Sequence, residues 1–221
     1  MFPKKIEEIY IQIRTKIIDG VYEPSSPIAE IPFAMEYGIK RTRIRQIIQK
    51  LESESLIERY PNRGAFVKPI TYKDLKEIFE LREALESMAA RLAARKRNNK
   101  DLEQISTLFE EYRKLSADGH LEEKVEIGER LHQFILQSSK NSRIIEVMGL
   151  LKFQILRIWT TGVRIPGRIN SAFKEHLEIL DAIKKRDEEL AERKMKKHIS
   201  DAFKDYIKVT ILDETDKAEI I

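Results

Sequence analysis

The chain has 221 residues, 42% hydrophobic and 35% charged, with a formal net charge of only +4, which gives room for one large domain or two modest ones under a heavily charged surface. It contains no cysteine, which excludes disulfides and thiol chemistry and agrees with a reducing cytosol. Glu7 and Glu8 interrupt any signal-peptide core, and no uncharged apolar run approaches the length of a bilayer span, so the expectation is a cytoplasmic protein with no membrane partner.

Ile6, Ile9, Ile13 and Ile17 recur at helical spacing and predict an amphipathic helix over 3–19, stopped by Gly20. After the turn-rich YEPSSP, Pro32 suits the first position of a short helix that runs to Tyr37. Gly38 ends it, and GIKRTRIRQIIQKL (38–51) opens a third helix that runs to about Ser55. Two helices joined by so tight a turn form a helix-turn-helix. Two strand-like runs, 56–60 and 65–68, flank PNRG, a turn with Gly64 at its tip. Residues 1–69 therefore read as a winged helix-turn-helix with a two-stranded wing.

Beyond Pro69 the pattern is helical almost to the end, and Thr71 with Asp74 resembles a capping box. Breaks at NNKD (98–101), SADGH (116–120), SKNS (139–142), RIPGR (164–168) and KRDE (185–188) divide this part into six or seven helices. Residues 70–221 read as an all-α bundle. The fold class is mainly α.

Lys40, Arg41, Arg43 and Arg45 crowd the start of the third helix, where the macrodipole disfavours cations. Residues 38–68 hold eight cations against three anions, a larger excess than the whole chain carries. A solvated basic face is the bland explanation for such a run. Here the run sits on the second helix of a helix-turn-helix and is followed by a basic wing. Phosphates bind helix N-termini, arginine reads guanine edges, and that helix end meets the bases in helix-turn-helix proteins. The charge is placed for double-stranded DNA. One such helix covers only a half-site, which implies a dimer on a palindromic operator.

His176 and His198 are 22 residues apart, about 33 Å on one straight helix. Asp187 lies 11 residues from each and suits an N-cap, so a helical hairpin folded there brings both imidazoles level. His132, in EIGERLHQFI, sits on an earlier, core-facing helix. Three converging imidazoles suit zinc or another first-row metal, and separate histidines with local partners are the alternative. Glu129 and His132 have the E-x-x-H spacing of di-iron enzymes, but Glu175–His176 and Lys194–His198 supply no second copy. No nucleophile elbow, P-loop or HExxH is present, so no enzyme is expected.

GIKRTRIRQIIQKLESESLIERYPNRGAFV resembles the winged-helix signature of GntR-type bacterial transcription regulators. The resemblance implies that Arg41, Thr42 and Arg45 contact DNA and that Arg63 and Gly64 form a wing tip reaching the minor groove. Lys40 and Arg43 add charge beside them, Arg43 standing where the family usually has proline. Ile31 falls where many members carry a DNA-contacting arginine, and Ser55 replaces a common glycine. IFELREALESMAARLAA, LHQFILQSSKNSRI and EHLEILDAIKKRDEELAERKMKKHI resemble the FCD effector domain of the FadR subfamily. That domain holds a metal with an Asp and three His, matched here by His132, His176 and His198. The Asp position falls on Gly128, which cannot ligate. Glu129, one turn before His132, substitutes for it, or water or ligand takes the fourth position, or the site stays empty. Arg82 matches an arginine that holds an effector carboxylate, and Arg157 is a second pocket candidate. A surface salt bridge between Arg82 and Glu86 is the alternative. The resemblance implies a homodimeric regulator, repressor or activator, controlled by a small organic acid and a divalent metal such as zinc or nickel.

Overall fold

The computed structural model describes residues 3–115, 121–162, 165 and 167–218; the expected break SADGH lies outside them, as do Arg164 and Pro166 of RIPGR. Two compact units are formed, Met1–Thr71 with Leu150–Thr160, and Tyr72–Gly149 with Thr161–Ile221.

The first unit begins with α1 (Lys4–Ile18), whose Ile6, Ile9, Tyr10, Ile13 and Ile17 are buried along one stripe. α2 (Glu30–Glu36) and α3 (Arg41–Ser53) follow, then β1 (Ile57–Tyr60) and β2 (Gly64–Val67). The strands pair antiparallel, Ile57 opposite Val67 and Tyr60 opposite Gly64. Ile44, Ile47, Ile48 and Leu51 of α3 are fully or almost fully buried against α1 and the wing. Each such side chain contributes about 1.5–3 kcal/mol by leaving water. α2 starts at Glu30, two residues before Pro32, so the proline stands at the third helical position rather than the first. The first-turn amides have no intrahelical acceptor, so proline is tolerated there, and Glu30 meets the positive end of the dipole.

The stretch Leu150–Thr160 belongs to this unit through specific contacts. The Arg14 guanidinium lies 4.1 Å from the Phe153 ring centroid. Thr160 Oγ1 donates to the Ile18 carbonyl at 3.0 Å, and Arg157 Nη1 donates to the Lys68 carbonyl. Sequence periodicity marks helices but not which body a helix segment joins, so from sequence alone the division falls simply at residue 69.

The second unit is built from α4 (Tyr72–Lys96), α5 (Asn99–Lys114), α6 (Leu121–Ser138), the start of α7 (Ser142–Gly162), α8 (Arg168–Lys185) and α9 (Glu188–Ala218). No strand occurs among its described residues. α4 packs chiefly on α9, and also on α6 and α8. Ala89, Ala90, Ala93 and Ala94 are fully buried, and their small size lets α4 approach its neighbours closely. Asn98 and Asp101 form a reciprocal capping box at the start of α5. At the α8–α9 reversal Arg186 adopts φ +61°, and its guanidinium donates to the Arg95 and Arg97 carbonyls at 2.7 and 2.9 Å. Asp187 then caps α9, accepting from the Leu190 amide at 3.0 Å. No helix among the described residues is long and apolar enough to cross a membrane.

Candidate functional site

Two groups of side chains stand out, one in each unit. In the first, Lys40, Arg41, Thr42, Arg43 and Arg45 are all exposed, while Ile44, Ile47 and Ile48 anchor the opposite side of α3 in the core. Arg43 donates to Gln46 Oε1 at 3.0 Å. The wing turn is made by Asn62 at φ +60° and Gly64 at φ +94°, the second a conformation that favours glycine. Arg63 is exposed at this turn, its guanidinium 5.8 Å from the Tyr60 ring centroid. An exposed cationic strip on a helix, with a further arginine at the wing turn, is complementary in charge to a nucleic-acid backbone.

In the second unit His132, His176 and His198 are buried, and each offers a ring nitrogen such that the three atoms lie within 4.8 Å of one another. His176 Nε2 and His198 Nε2 are 3.3 Å apart. Two nitrogens each about 2.0–2.1 Å from a tetrahedral zinc stand roughly 3.3 Å apart, so this spacing fits a shared ion. The other nitrogen of every ring is engaged. Glu86 Oε2 is hydrogen-bonded to His132 Nδ1. Glu175 Oε2 pairs with His198 Nδ1 at 2.7 Å, and the Tyr112 hydroxyl with His176 Nδ1 at 2.6 Å. Carboxylates on the far nitrogens fix ring orientation and tautomer in metal sites. Behind them, Arg82 Nε donates to Glu86 Oε1 at 2.7 Å and Arg168 Nη1 to Glu175 at 3.0 Å.

Burial alone would push the Glu86 carboxyl up, yet the Arg82 charge and the hydrogen bonds from His132 and Arg82 hold it below the usual carboxylate range. Burial pulls His176 and His198 well below the usual histidine range, reinforced by the cationic groups around them. Both imidazoles are therefore neutral near pH 7, the form that ligates a metal.

Residues 5–67 match the bacterial regulatory proteins of the gntR family, and residues 77–201, more than half of the chain, match the FCD domain. The chain belongs to the GntR family. A Bacillus subtilis uncharacterized HTH-type transcriptional regulator, YdhC, is 23% identical over 87% of this chain and 87% of its own. The Escherichia coli galactonate operon transcriptional repressor is 28% identical over 86% of this chain and 91% of its own. The solved structure of E. coli McbR/YncC is 18% identical and superposes with a TM-score of 0.70, covering 93% of this chain and all of that one; it supports the fold.

A GntR regulator with an FCD domain is a transcription regulator, not an enzyme. The di-iron alternative also lacks its carboxylate in the structure. Glu129 stands on a half-exposed face of α6, in a groove with Gln104, Thr107, Gln133 and Gln137, and is not one of the residues that converge with His132. Arg82 is buried and paired with Glu86, so the i,i+4 pair weighed as the alternative to an effector contact exists, in the interior rather than on the surface. Arg157 groups with the first unit, at the Lys68 carbonyl. Gly128 lies beside the histidines: a Cβ there would stand 3.1 Å from His176 Cε1 and 3.8 Å from the Tyr112 hydroxyl.

Sequence reasoning missed Glu86, Tyr112, Arg168 and Glu175 as partners of the cluster, and Glu30 as a partner of the basic helix. Glu175 is adjacent to a candidate ligand, but successive helical residues point about 100° apart, so adjacency does not reveal its bond to His198.

Proposed function

We propose that this regulator binds a palindromic operator as a homodimer and that a small carboxylate, acting with a divalent metal in the FCD domain, controls its DNA affinity. Arg41, Thr42 and Arg45 read bases in the major groove, Lys40 and Arg43 contact phosphates, and Arg63 and Gly64 enter the adjacent minor groove. The work of such a protein is cytoplasmic, where the operator is, and repression is the mode suggested by relatives such as the galactonate operon repressor.

The observation that carries the control half of this reading is the convergence of His132, His176 and His198 with an oriented partner on each outer nitrogen. His132, His176 and His198 would hold zinc or nickel, and the ion would act as a Lewis acid toward an anionic ligand. For His176 Nε2 to ligate, its Nδ1 carries the proton and donates to the Tyr112 oxygen, which burial keeps in the neutral phenol form by pushing its pKa far up. Glu86 and Glu175 accept from the other two rings and fix their tautomer and orientation. Gly128 supplies no ligand, so the remaining positions go to water or to the effector. A carboxylate suits them, and galactonate, the sugar acid in one relative's name, is a carboxylate. Arg82 sits behind Glu86 and adds positive charge at that end of the site. Exposed Leu81 and Met88, seven residues apart on one face of α4, supply an apolar stripe for the second copy.

The test is elemental analysis of untagged protein purified without chelator, beside His176→Ala. Near-stoichiometric metal, lost in the variant, is the expected result. Absence of metal even after zinc or nickel is added would sink the metal half and leave control to an unassisted ligand pocket.

A further inference from the structure

Glu30, the first residue of α2, reaches across to the start of α3 and binds both arginines placed there. Arg45 Nε donates to Glu30 Oε1 at 2.9 Å and Arg45 Nη2 to Oε2 at 2.9 Å. Arg41 Nε donates to Oε2 at 2.6 Å. The carboxylate is the better-shielded member: its side chain is 20% exposed, against 58% for Arg41 and 46% for Arg45. A carboxylate on a surface meant for a polyanion is costly unless it has a task, because it repels phosphate and neutralises cations needed there. Pairs this exposed add little to stability, so stability alone is a weak reason for it.

The geometry supplies the task. A guanidinium has five N–H donors in a planar fork. Arg45 spends its inner edge, Nε and one hydrogen of Nη2, on Glu30; its outer edge, Nη1 and the second hydrogen of Nη2, makes no bond to Glu30, and the side chain is 46% exposed. Two such donors match the O6 and N7 acceptors of guanine. With the inner edge clamped, the plane and reach of the outer edge are fixed before DNA arrives, and less side-chain freedom is lost on binding. The clamp also discourages Arg41 and Arg45 from turning to phosphates, which offer charge without sequence.

We infer that Glu30 is a specificity-determining residue, a positioning group that holds Arg41 and Arg45 in base-reading geometry and lowers the protein's affinity for duplex of arbitrary sequence. The inference rests on the proposed reading of Arg41 and Arg45 as DNA contacts. The hydrogen bonds from Arg45, against a smaller opposing effect of burial, and those from Arg41 lower the Glu30 carboxyl to about 2, so the clamp stays charged at any pH at which DNA is bound.

The test uses the full chain. A preferred site is selected from a pool of random duplexes, and affinities for it and for a scrambled duplex are measured by fluorescence anisotropy at several salt concentrations. Glu30→Gln keeps the side-chain shape and removes the charge. Glu36→Gln removes a charge from the same helix, where Glu36 pairs with Lys16 at 3.3 Å and touches neither arginine. Glu30→Gln is expected to lower the ratio of selected to scrambled affinity about fivefold or more, the lower range for one bidentate base contact. Its log–log salt slope on scrambled duplex steepens by about 0.9 for each further phosphate that the released arginines neutralise. Glu36→Gln leaves the ratio as in the parent. An unchanged ratio in Glu30→Gln at unchanged melting temperature, or an equal fall in Glu36→Gln, overturns the inference. Should Glu30→Gln melt early, Glu30→Asp decides instead: it keeps the charge but shortens the reach, and an undiminished ratio there overturns positioning. A parent chain that enriches no sequence at all would overturn base reading itself, and the clamp with it.

Discussion

His176 Nε2 and His198 Nε2 lie 3.3 Å apart although 22 residues separate them in the chain. The outer nitrogen of His198 is held by Glu175 at 2.7 Å, and Glu175 is in turn gripped by Arg168. Glu175→Gln keeps the size of the side chain but not its charge. Zinc affinity is expected to fall about 10–100-fold, the usual effect of losing an oriented partner behind a ligand. Competition against a chromophoric chelator measures it, and parental affinity in the variant would remove Glu175 from the account.

Gly128→Asp should act in opposite directions on the two forms of the protein. The new Cβ would stand 3.1 Å from His176 Cε1, so the ring must shift by a few tenths of an ångström. The metal-free protein is expected to lose about 1–3 kcal/mol to this crowding. The zinc-loaded protein gains a carboxylate ligand, so the rise in melting temperature on adding zinc becomes larger than in the parent. Paired melting curves with and without zinc decide it; an equal or smaller rise means that the carboxylate does not reach the ion.

Acid should weaken the clamp on the basic helix within a defined window. The Glu30 carboxyl is depressed from 4.5 to about 2, chiefly by its hydrogen bonds from Arg45. A depressed carboxyl stabilises the fold above its unfolded pKa and loses that contribution as pH falls through the folded one. The difference in melting temperature between the parent and Glu30→Gln is therefore constant above about pH 5 and shrinks between 4.5 and about 2. Its size is small, about 1 kcal/mol at most, because the arginines are half exposed. A difference that persists unchanged to pH 2 would contradict the assignment.

Leu81 and Met88 are 45% and 42% exposed on α4. If this stripe joins two copies, Leu81→Glu with Met88→Glu yields a monomer of parental helicity, with operator affinity reduced because two half-sites are no longer held together. Light scattering gives the mass and circular dichroism the helicity. A double variant that remains dimeric would place the interface elsewhere.

Much of the architecture is legible because it is written in local periodicity. The isoleucines of α1 and α3, Gly38 between the helices and the PNRG turn each act within a few residues, and together they define the winged helix. The histidine pair is legible for a related reason: equal spacing about one capping residue, Asp187, makes a hairpin bring them level. What is not legible depends on tertiary packing. Arg82 and Glu86 have the spacing of an ordinary surface pair, and nothing in that spacing says that α6 and α9 cover them. Tyr112 and His176 are 64 positions apart and meet only because α5 and α8 pack together. Glu30 has the sequence position of a first-turn acid serving its own helix, and its reach to Arg45 follows from the angle at which α2 meets α3.

The reversal at Arg186 and Asp187 makes the geometry of the histidine cluster a matter of counting. One residue inserted between Glu188 and His198 would swing His198 about 100° around α9 and move it roughly 1.5 Å along the axis, dismantling the cluster with all three histidines intact. Four inserted residues would return it to nearly the same face but about a full turn out of level. Among distant relatives, then, the length of chain between the histidines and the reversal is as diagnostic of a working centre as the histidines themselves.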